Sequence, residues 1–380
     1  MSAAPAQPRR IAFIVTEDWF FASHFLPMLR AARALGLEAT VIARVRAHRP
    51  VLEAAGARVI PFEAERRSLN PLAAGYAAGR LAAILGEVGP DLVHCVALRS
   101  ILVGGAAAAM AGVERRVYAL TGLGLLGARG DPVGRLARLA VRAAIRALAT
   151  PGTRYLFENP DDARLLGLDP GDRARVTLVG GAGVDPEAFQ PQPLPSTPPL
   201  RVALVARMLW SKGVDLAVEA VGLARARGAD VALTLHGAPD PSNPRAIPRA
   251  TLESWAARPG IAYAGIAGDV AAVWALHHVC CLPSRGGEGL PRSLLEAAAA
   301  GRALLTTDVP GCRLLVRDGR EGLLVPPNDA ARLADALVRL AADPALVANL
   351  GEAARARVLD GFTEGAVAAA VGALYAEMLR

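Results

Sequence analysis

The segment from Pro283 to Gly301 reads PSRGGEGLPRSLLEAAAAG and follows the apolar run Val279–Leu282. Such a run is typical of a buried strand, and the glycines after it favour a loop. Pro291 suits the first position of a helix, where the N–H that it lacks has no partner to lose. The sequence therefore predicts a strand, a loop and a helix in that order, which is the repeating unit of α/β proteins with parallel sheets.

Two glutamates frame the start of the predicted helix. Glu288 lies in the loop ahead of it, where a carboxylate can accept a hydrogen bond from a sugar hydroxyl, and Glu296 lies more than a turn inside, where it can accept from a ribose. Between them, the N–H groups of Gly289 and Leu290 lie at the positive end of the helix dipole, which attracts anions. These groups together favour an anion-binding site at the start of the helix.

Two cations lie after another apolar, strand-like run. Arg207 and Lys212 belong to the segment ARMLWSKG, and Lys212 is the one lysine among the 42 basic residues of the chain. Added to the helix N-terminus, these cations complete a diphosphate site, with Ser284 in the loop and His236 at a strand end expected to line the nucleotide pocket. The simpler alternative is an acidic pair on a solvated helix that has a basic neighbour by chance.

Strand-like and helical runs alternate along the chain in two series. The segment 191–199, PQPLPSTPP, separates the series and cannot hold regular structure, and 380 residues are many for one core. We therefore predict two α/β units with mostly parallel sheets: residues 1–190, a linker at 191–199, and residues 200–364, with a helix at about 365–380 packing back on the first unit. Ligands of such sheets gather beyond the carboxyl ends of the strands, so the active site is expected in a cleft between the facing units.

The four charged residues of the predicted site resemble those of a known family. Glu288 and Glu296 match the Glu-x7-Glu motif of the retaining glycosyltransferases of family 4, and Arg207 and Lys212 match the Arg and Lys with which that family grips a diphosphate. The resemblance covers nearly all of the chain and implies the GT-B fold, with two Rossmann-like parallel-sheet domains facing across a cleft. Four further segments are similar to the branch that elongates lipid-linked bacterial surface glycans: 16–24, 121–124, 159–162 and 308–313.

The resemblance implies a reaction as well as a fold. The enzyme would move a hexose or N-acetylhexosamine from a nucleotide diphosphate, expected to be a UDP-sugar, to a sugar on a polyprenyl diphosphate, with retention of configuration. The second unit would hold the donor, with Glu288 orienting the hexose, Glu296 binding the ribose, and Arg207 and Lys212 stabilising the leaving diphosphate. Neither a metal nor another cofactor is expected, since the two cations and the helix N-terminus stabilise the negative charge of the diphosphate.

Acceptor-side residues are expected in the first unit. Asp18 and His24 follow the first predicted strand, His94 ends a predicted strand at 91–94, and Gly122 begins a tight glycine loop. A histidine near a strand end also serves packing or capping, and that alternative stays open for both histidines.

Three stretches depart from familiar patterns. Many members of the family carry a glycine-rich loop after the first strand, where this chain has EDW at 17–19, and a second histidine where it has Val96. The run 122–127, GLGLLG, spells the dinucleotide fingerprint, but it follows about the fifth strand, and ARGDP at 128–132 stands where a phosphate-binding helix would begin. A nicotinamide site is therefore disfavoured, and a close approach of this backbone to an acceptor is favoured.

Composition limits the remaining classes of function. The four cysteines lack metal-ligand spacing and three lie in or beside apolar runs, so we expect reduced core thiols without a metal centre or disulfide framework. The apolar run 11–15 is too short for a signal sequence, and no window approaches about 20 apolar residues, so a cytoplasmic chain without a transmembrane helix is expected. Nucleic acid is a poor partner, because no binding motif or aromatic interleaving accompanies the basic residues.

Positive charge is concentrated in the first unit, with a net +6 for residues 1–190 and +1 for residues 191–380. Arg135, Arg138, Arg142 and Arg146 recur at helical spacing opposite an apolar side. One interpretation is an ordinary amphipathic helix packed on its sheet. The other is docking on the anionic cytoplasmic leaflet of the inner membrane, which an isoprenoid-linked acceptor would require.

Two other functions stay open on the sequence. A UDP-sugar 2-epimerase shares the two-unit architecture and the diphosphate site, but it needs acid/base carboxylates on both sides of the hexose. A non-catalytic nucleotide-sugar-binding subunit is the second alternative, and the complete set of Arg207, Lys212, Glu288 and Glu296 argues against it.

Overall fold

The computed structural model describes residues 8–63, 71–122, 124, 131–241, 243–287 and 289–380. The chain divides into two compact units, the first made of Met1–Gly183 with Glu364–Arg380 and the second of Val184–Thr363. Each unit holds a parallel sheet with helices between its strands.

Within the described residues, the first sheet has seven parallel strands in the order β3-β2-β1-β4-β5-β6-β7. The interior strand β1 pairs with β2 on one side and β4 on the other, so that Ile11 lies opposite both Ala39 and Leu92. The strands are β1 (Arg10–Glu17), β2 (Glu38–Arg44), β3 (Ala57–Pro61), β4 (Leu92–Val96), β5 (Arg116–Leu120), β6 (Thr153–Phe157) and β7 (Val176–Leu178).

Helices alternate with these strands and cover two apolar cores. Ile11 and Phe13 of β1 enter one core, and Ala12 and Ile14 enter the other. Because β1 is buried on both faces, its residues Ile11–Val15 form an unbroken apolar run, as is usual in parallel sheets. The helices are α1 (Asp18–His24), α2 (Leu26–Ala34), α3 (Arg49–Ala54), α4 (Pro71–Val88), α5 (Ala97–Met110), α6 (Pro132–Ala147) and α7 (Pro160–Leu165).

The second sheet has six parallel strands in the part of the chain that the structure describes, in the order β10-β9-β8-β11-β12-β13. The strands are β8 (Leu200–Val205), β9 (Val231–His236), β10 (Ile261–Gly265), β11 (Val279–Leu282), β12 (Ala303–Thr307) and β13 (Gly322–Val325). A 3-10 turn at Trp210–Lys212 lies just ahead of the first helix of this unit. The helices are α8 (Val214–Ala226), α9 (Arg249–Ala256), α10 (Val270–Ala275), α11 (Arg292–Ala299), α12 (Pro310–Leu315), α13 (Ala330–Ala342) and α14 (Pro344–Leu359).

The last helix, α15 (Glu364–Met378), belongs to the first unit. Arg30 Nη1 of α2 lies 2.6 Å from Glu364 Oε2. The hydroxyl of Tyr375 lies 2.6 Å from His94 Nδ1 of β4. The chain therefore returns to its first sheet at the end, where apolar residues of the helix complete that core: Val367, Val371, Leu374, Tyr375 and Met378.

The proline-rich segment 191–199 forms neither helix nor strand, but it is bound to the second unit. His278 Nε2 lies 2.9 Å from the Pro195 carbonyl oxygen, and Arg302 Nη2 donates to the Gln192 carbonyl oxygen at 2.6 Å. These side chains satisfy backbone carbonyls that regular structure would otherwise pair. The division of the chain consequently falls at Gly183, ahead of the expected boundary at 190.

Candidate active site

The predicted donor residues follow neighbouring strands of the second sheet. β8 ends at Val205 and leads to Arg207 and Lys212, and β11 ends at Leu282 and leads to the loop Pro283–Gly287. β8 and β11 are neighbours where the strand order reverses. Such a reversal is where sheets of this kind bind ligands, because the connections leave in opposite directions.

Gly213 brings these two connections into contact. It follows the turn Trp210–Lys212 with φ of 69°, and a Cβ at this position would lie 1.9 Å from the carbonyl oxygen of Pro283. Only glycine leaves room for that approach. The half-buried Lys212 is therefore held next to the loop Pro283–Gly287.

Arg207 lies on the exposed side of the same connection. Its Nη1 is 3.1 Å from Asp240 Oδ2, and its side chain is 46% exposed. A guanidinium has five N–H donors, so a partner of this kind leaves others to bind a phosphate. Arg207 and Lys212 thus lie in one segment at the end of β8, as the sequence predicts for the two cations.

Ser284 supports the loop from inside. It is fully buried, its Oγ accepts a hydrogen bond from the Gly286 N–H at 3.3 Å, and its carbonyl accepts one from the Thr307 hydroxyl. The loop turns at Gly286 and Gly287, which have φ of 101° and 78°. The structure therefore gives Ser284 a supporting role in the loop, whereas the sequence predicts a contact with the donor.

The helix after the loop begins one residue later than the sequence predicts. Pro291 is the N-cap, and α11 starts at Arg292. Gly289 and Leu290 are buried just ahead of this cap. Glu288, the predicted hexose-binding residue, lies outside the described residues. Of the predicted anion site, the structure therefore describes Gly289 and Leu290 but not the carboxylate of Glu288.

Glu296 lies inside α11 and is almost fully buried. Its Oε1 accepts a hydrogen bond from Arg292 Nε at 2.7 Å, one turn earlier in the helix. Burial raises the pKa of Glu296, and the Arg292 guanidinium opposes part of that rise. Since a carboxylate can accept about four hydrogen bonds, Glu296 can hold Arg292 and still accept from ribose hydroxyls.

His236 ends β9, as predicted, and is half-buried. Its ring packs edge-on against His277 at 5.9 Å, and burial lowers its pKa. Among the described residues, its buried Nε2 has no hydrogen-bond partner. Burial therefore favours the uncharged ring near neutral pH.

Arg285 is a residue of this site that the sequence does not predict. Its Nη1 and Nη2 each lie 2.8 Å from a carboxylate oxygen of Asp215, and its Nε donates to Asn328 Oδ1 at 2.8 Å. The backbone N–H of Arg285 donates to the Ser211 carbonyl at 2.8 Å. Arg285 and Asp215 are 70 residues apart, so no short sequence motif contains both of them. Arginine is also common in this chain, so the residue type alone does not single out Arg285.

In the first unit, Asp18 is fully buried at the start of α1. Its carboxylate accepts hydrogen bonds from the backbone N–H groups of Trp19, Arg46 and His48 at 2.7, 2.7 and 2.9 Å. Burial raises the pKa of Asp18, but these donors outweigh burial and the pKa lies below its ordinary value. The structure therefore assigns Asp18 to holding the connection after β2, not to the predicted contact with an acceptor.

His94 is also fully buried. Because β4 continues to Val96, the histidine lies inside the strand and not at its end, where the sequence predicts it. Its Nδ1 pairs with Tyr375, and burial lowers its pKa to about 3. The packing alternative therefore applies to His94, and the predicted acceptor role is not supported. Its Nε2 has no hydrogen-bond partner among the described residues.

His24 and Gly122 occupy more open positions. His24 ends α1, its Nδ1 lies 2.6 Å from Ser23 Oγ, and its ring packs 4.8 Å from that of Phe20. Gly122 follows β5 with φ of 107°, a value that favours glycine. Leu123 and residues 125–127 of its predicted loop lie outside the described residues. Both therefore stay predictions for acceptor binding.

No cluster of three or more His, Cys, Asp or Glu side chains able to hold a metal ion occurs in the described ranges. The four cysteines are buried, as expected of core thiols. Cys280 and Cys281 belong to β11. Their place in the core explains why cysteine is found next to the site without being part of it.

Two family models match the chain, one in each half. Residues 10–150 match the family described as Glycosyl transferase 4-like, and residues 199–343 match the one described as Glycosyl transferases group 1. A similar protein is the N,N'-diacetylbacillosaminyl-diphospho-undecaprenol alpha-1,3-N-acetylgalactosaminyltransferase of Campylobacter jejuni, 26% identical over 346 residues, which are 87% of this chain and 89% of that protein. The putative colanic acid biosynthesis glycosyltransferase WcaL of Escherichia coli is 34% identical over 168 residues, 42% of this chain and 40% of that protein.

Solved structures share the fold over almost the whole chain. Alr3699/HepE of Anabaena in complex with UDP-glucose has a TM-score of 0.78 at 17% identity, covering 97% of this chain and 99% of that one. Sucrose-phosphate synthase of Thermosynechococcus elongatus has a TM-score of 0.79 at 22% identity, covering 98% and 99%. These likenesses confirm the predicted α/β class, with two Rossmann-like parallel-sheet domains of the GT-B type. With a matching model in each half, the chain belongs to the glycosyltransferases of family 4.

Proposed function

We propose that this glycosyltransferase moves a hexose or N-acetylhexosamine from a UDP-sugar to a sugar on a polyprenyl diphosphate, with retention of configuration, in the synthesis of a bacterial surface glycan. The observation that carries the proposal is the contact of the Lys212 turn with the loop Pro283–Gly287 at the strand-order reversal of the second sheet. The name of the Campylobacter relative supports the acceptor class, because it specifies a diphospho-undecaprenol-linked sugar.

In the proposed reaction, the bond from the sugar C1 to the diphosphate oxygen breaks as a bond from C1 to an acceptor oxygen forms on the same face. The proton of the acceptor hydroxyl goes to the departing phosphate, so the chain supplies no covalent nucleophile. Arg207 and Lys212 stabilise the negative charge that grows on the diphosphate, assisted by the N–H groups of Gly289 and Leu290. Groups fixed before the reaction stabilise such charge best, because they need not reorganise.

Two carboxylates complete the proposed donor site. Glu288 orients the hexose, and Glu296 binds the ribose with the lone pairs that Arg292 leaves open. The nucleotide pocket is lined in part by His236, whose uncharged ring suits the neighbourhood of a base or ribose.

Metal independence is part of the proposal. Two cations and the N–H groups ahead of α11 supply positive charge where a divalent ion would otherwise be needed. We therefore expect turnover to survive an excess of EDTA over all metal present. Loss of activity under EDTA that Mn²⁺ or Mg²⁺ restores would contradict this part of the proposal.

The proposed acceptor has a lipid tail, so we also propose that the first unit docks on the anionic cytoplasmic face of the membrane. No helix in the described residues is both long and apolar enough to cross a bilayer. On α6, however, Leu136 and Leu139 are 70% and 60% exposed, although the packed-helix interpretation expects them against the sheet. Leu139 and three arginines line one pocket of about 230 Å³, together with Leu165: Arg135, Arg138 and Arg142. Exposed leucines next to arginines suit an anionic lipid surface.

The test is a panel of nucleotide sugars with a short-chain polyprenyl diphosphate carrying one sugar. We expect one donor to give a disaccharide product whose new bond keeps the configuration of the donor, as read by the NMR coupling of its anomeric proton. An epimerised donor formed without acceptor would instead indicate a 2-epimerase. Binding of nucleotide sugars without any product would indicate a non-catalytic subunit.

A further inference from the structure

Arg285 ties the two connections of the donor site together. Its guanidinium donates to the Trp210 carbonyl, and its own N–H donates to the Ser211 carbonyl at 2.8 Å. Both carbonyls belong to the turn that ends at Lys212. The guanidinium also grips both oxygens of Asp215, which lies in the first turn of α8 just after Lys212. Arg285 therefore holds the chain on both sides of Lys212.

The donors of this guanidinium are almost all in use. Nε bonds to Asn328, Nη1 to Trp210 and Asp215, and Nη2 to Asp215, so that four of about five N–H groups have protein partners. Its positive charge is also balanced by the Asp215 carboxylate. Arg285 is consequently unsuited to act as a third diphosphate ligand, in contrast to the more exposed Arg207.

The pair is also more than an ordinary surface ion pair. The side chains of Arg285 and Asp215 are 27% and 29% exposed, and their two bonds are parallel, which is the strongest geometry for an arginine and a carboxylate. A lysine offers a single charged nitrogen on a flexible stem and cannot make this set of bonds.

We propose that Arg285 and Asp215 are positioning residues that fix Lys212 for the reaction. The proposal rests on the proposed function, in which Lys212 stabilises the leaving diphosphate. Gly213 allows the two connections to contact each other at Pro283. The Arg285–Asp215 pair then holds one connection in a fixed position relative to the other. Removing the pair leaves Lys212 in the chain but frees its ammonium to move away from the developing charge, and misplacement by about 1 Å costs on the order of 10²-fold in rate.

The test compares Arg285→Lys and Asp215→Asn with the wild type in full-length protein. We expect kcat to fall by about 10- to 100-fold, with a smaller change in the KM for the donor, because the pair acts on the transition state more than on substrate binding. Arg227→Lys is the matched control, since Arg227 bonds to Asp335 at 2.5 Å in an exposed pair of the same unit. The control should keep wild-type kcat.

A second comparison separates positioning from general support of the fold. In a Lys212→Ala background, Arg285→Lys should cause little further loss of turnover or of UDP affinity measured by calorimetry, because the residue that it positions is gone. Full additivity of the two losses would overturn the proposal, as would wild-type kcat in both Arg285→Lys and Asp215→Asn. Should Arg285→Lys fail to fold by circular dichroism, Asp215→Asn, which changes one atom, carries the same test.

The outcome is distinguishable from failure of the proposed function. Non-additive weakening of UDP binding by Lys212→Ala and Arg285→Lys would support the pair even if no sugar is transferred. Conversely, a strong loss in Lys212→Ala with wild-type behaviour of the Arg285 and Asp215 variants would reject the pair and leave the proposed function in place.

Discussion

Lys212 is the residue on which the proposed chemistry depends most. It is the one lysine of a chain whose other basic residues are arginines, and it lies on a turn that Gly213 follows and that accepts hydrogen bonds from Arg285. An ammonium is a compact point charge, whereas a guanidinium is a planar fork. We therefore expect the position to require a small cation and not merely a positive charge.

Lys212→Ala should lower kcat by about 10²-fold, which corresponds to roughly 2.7 kcal/mol of transition-state stabilisation. The thermal midpoint of unfolding should change little, since the side chain lies at a turn and outside the cores. Lys212→Arg should recover only part of the rate. Steady-state kinetics with the identified donor provides the measurement, and near-wild-type turnover of Lys212→Ala would remove this residue from the mechanism.

His94 offers a residue-scale prediction about stability. Its pKa is about 3 in the folded protein against an ordinary value of 6.5, because burial disfavours the charged ring. Between these values the unfolded chain binds a proton that the folded protein does not. His94 thus contributes stability that is complete above pH 6.5 and is lost as the pH falls, by about 2 to 3 kcal/mol at pH 4.5.

Replacing this histidine should flatten the pH dependence of stability. Other titrating groups are the same in wild type and His94→Gln, so they cancel when the two proteins are compared. The difference in their free energies of unfolding, from urea titrations, should shrink by about 2 to 3 kcal/mol from pH 7 to pH 4.5. An unchanged difference would show that His94 takes up a proton in the folded protein.

At the scale of elements, the sequence predicts most of the sheets and less of the site. Apolar runs identify the strands well, because strands buried on both faces must be apolar throughout. The limits of those runs are less reliable. β4 continues to Val96, so His94, which the sequence predicts at the strand end, lies in the core. Pro291 is the N-cap of its helix, whereas the sequence predicts it as the first helical residue. Strand and helix ends depend on hydrogen bonds that the apolar pattern does not record.

Contacts between distant segments are the part that the sequence does not predict. The sequence predicts Asp18 to be a residue that contacts the acceptor, whereas in the structure its carboxylate accepts hydrogen bonds from the backbone N–H groups of Arg46 and His48. Similarly, Leu136 and Leu139 read as a packed face, whereas α6 buries Gly134 and Ile145 instead. Helical periodicity shows that one face is apolar, but only the neighbours of the helix decide which residues are covered.

Gly213 gives the prediction at this scale. Gly213→Ala should reduce turnover and UDP affinity, because a Cβ would meet the Pro283 carbonyl oxygen at 1.9 Å and force the two connections apart. Gly228→Ala is the control, since Gly228 also has a positive φ, 86°, but has nothing within 4 Å of the added carbon. The control should cost about 1 to 2 kcal/mol of stability from the backbone alone and keep its activity. Equal loss of activity in both variants would show that the approach to Pro283 is unimportant.

For the whole molecule, the distribution of charge and of exposed apolar groups distinguishes the two units. The first unit holds most of the net positive charge. On α6 the exposed leucines and the arginines share one region, with the cap residue Asp131 as a nearby acidic group. A surface that is both cationic and apolar binds an anionic leaflet by two forces, and only one of them is screened by salt.

The two forces can be separated by two sets of substitutions on α6. Changing its four arginines, Arg135, Arg138, Arg142 and Arg146, to Gln should weaken binding to vesicles of anionic phospholipid by several orders of magnitude at low salt, at about 1 kcal/mol for each basic residue. Changing Leu136 and Leu139 to Gln should weaken binding at high salt as well, because burial of apolar surface is not screened. Vesicle sedimentation at low and high salt measures both effects.

Matched substitutions in the second unit test whether the effect belongs to α6. Arg332→Gln and Leu276→Gln remove an exposed arginine and an exposed leucine there, and both should leave vesicle binding unchanged. All of these variants should keep wild-type turnover on a short-chain acceptor that dissolves in water, since none of the changed residues belongs to the proposed donor site. Equal binding of the α6 variants and the wild type to anionic vesicles at low salt would show that this helix serves only the fold of the first unit, and that a lipid-linked acceptor must reach the enzyme by another surface.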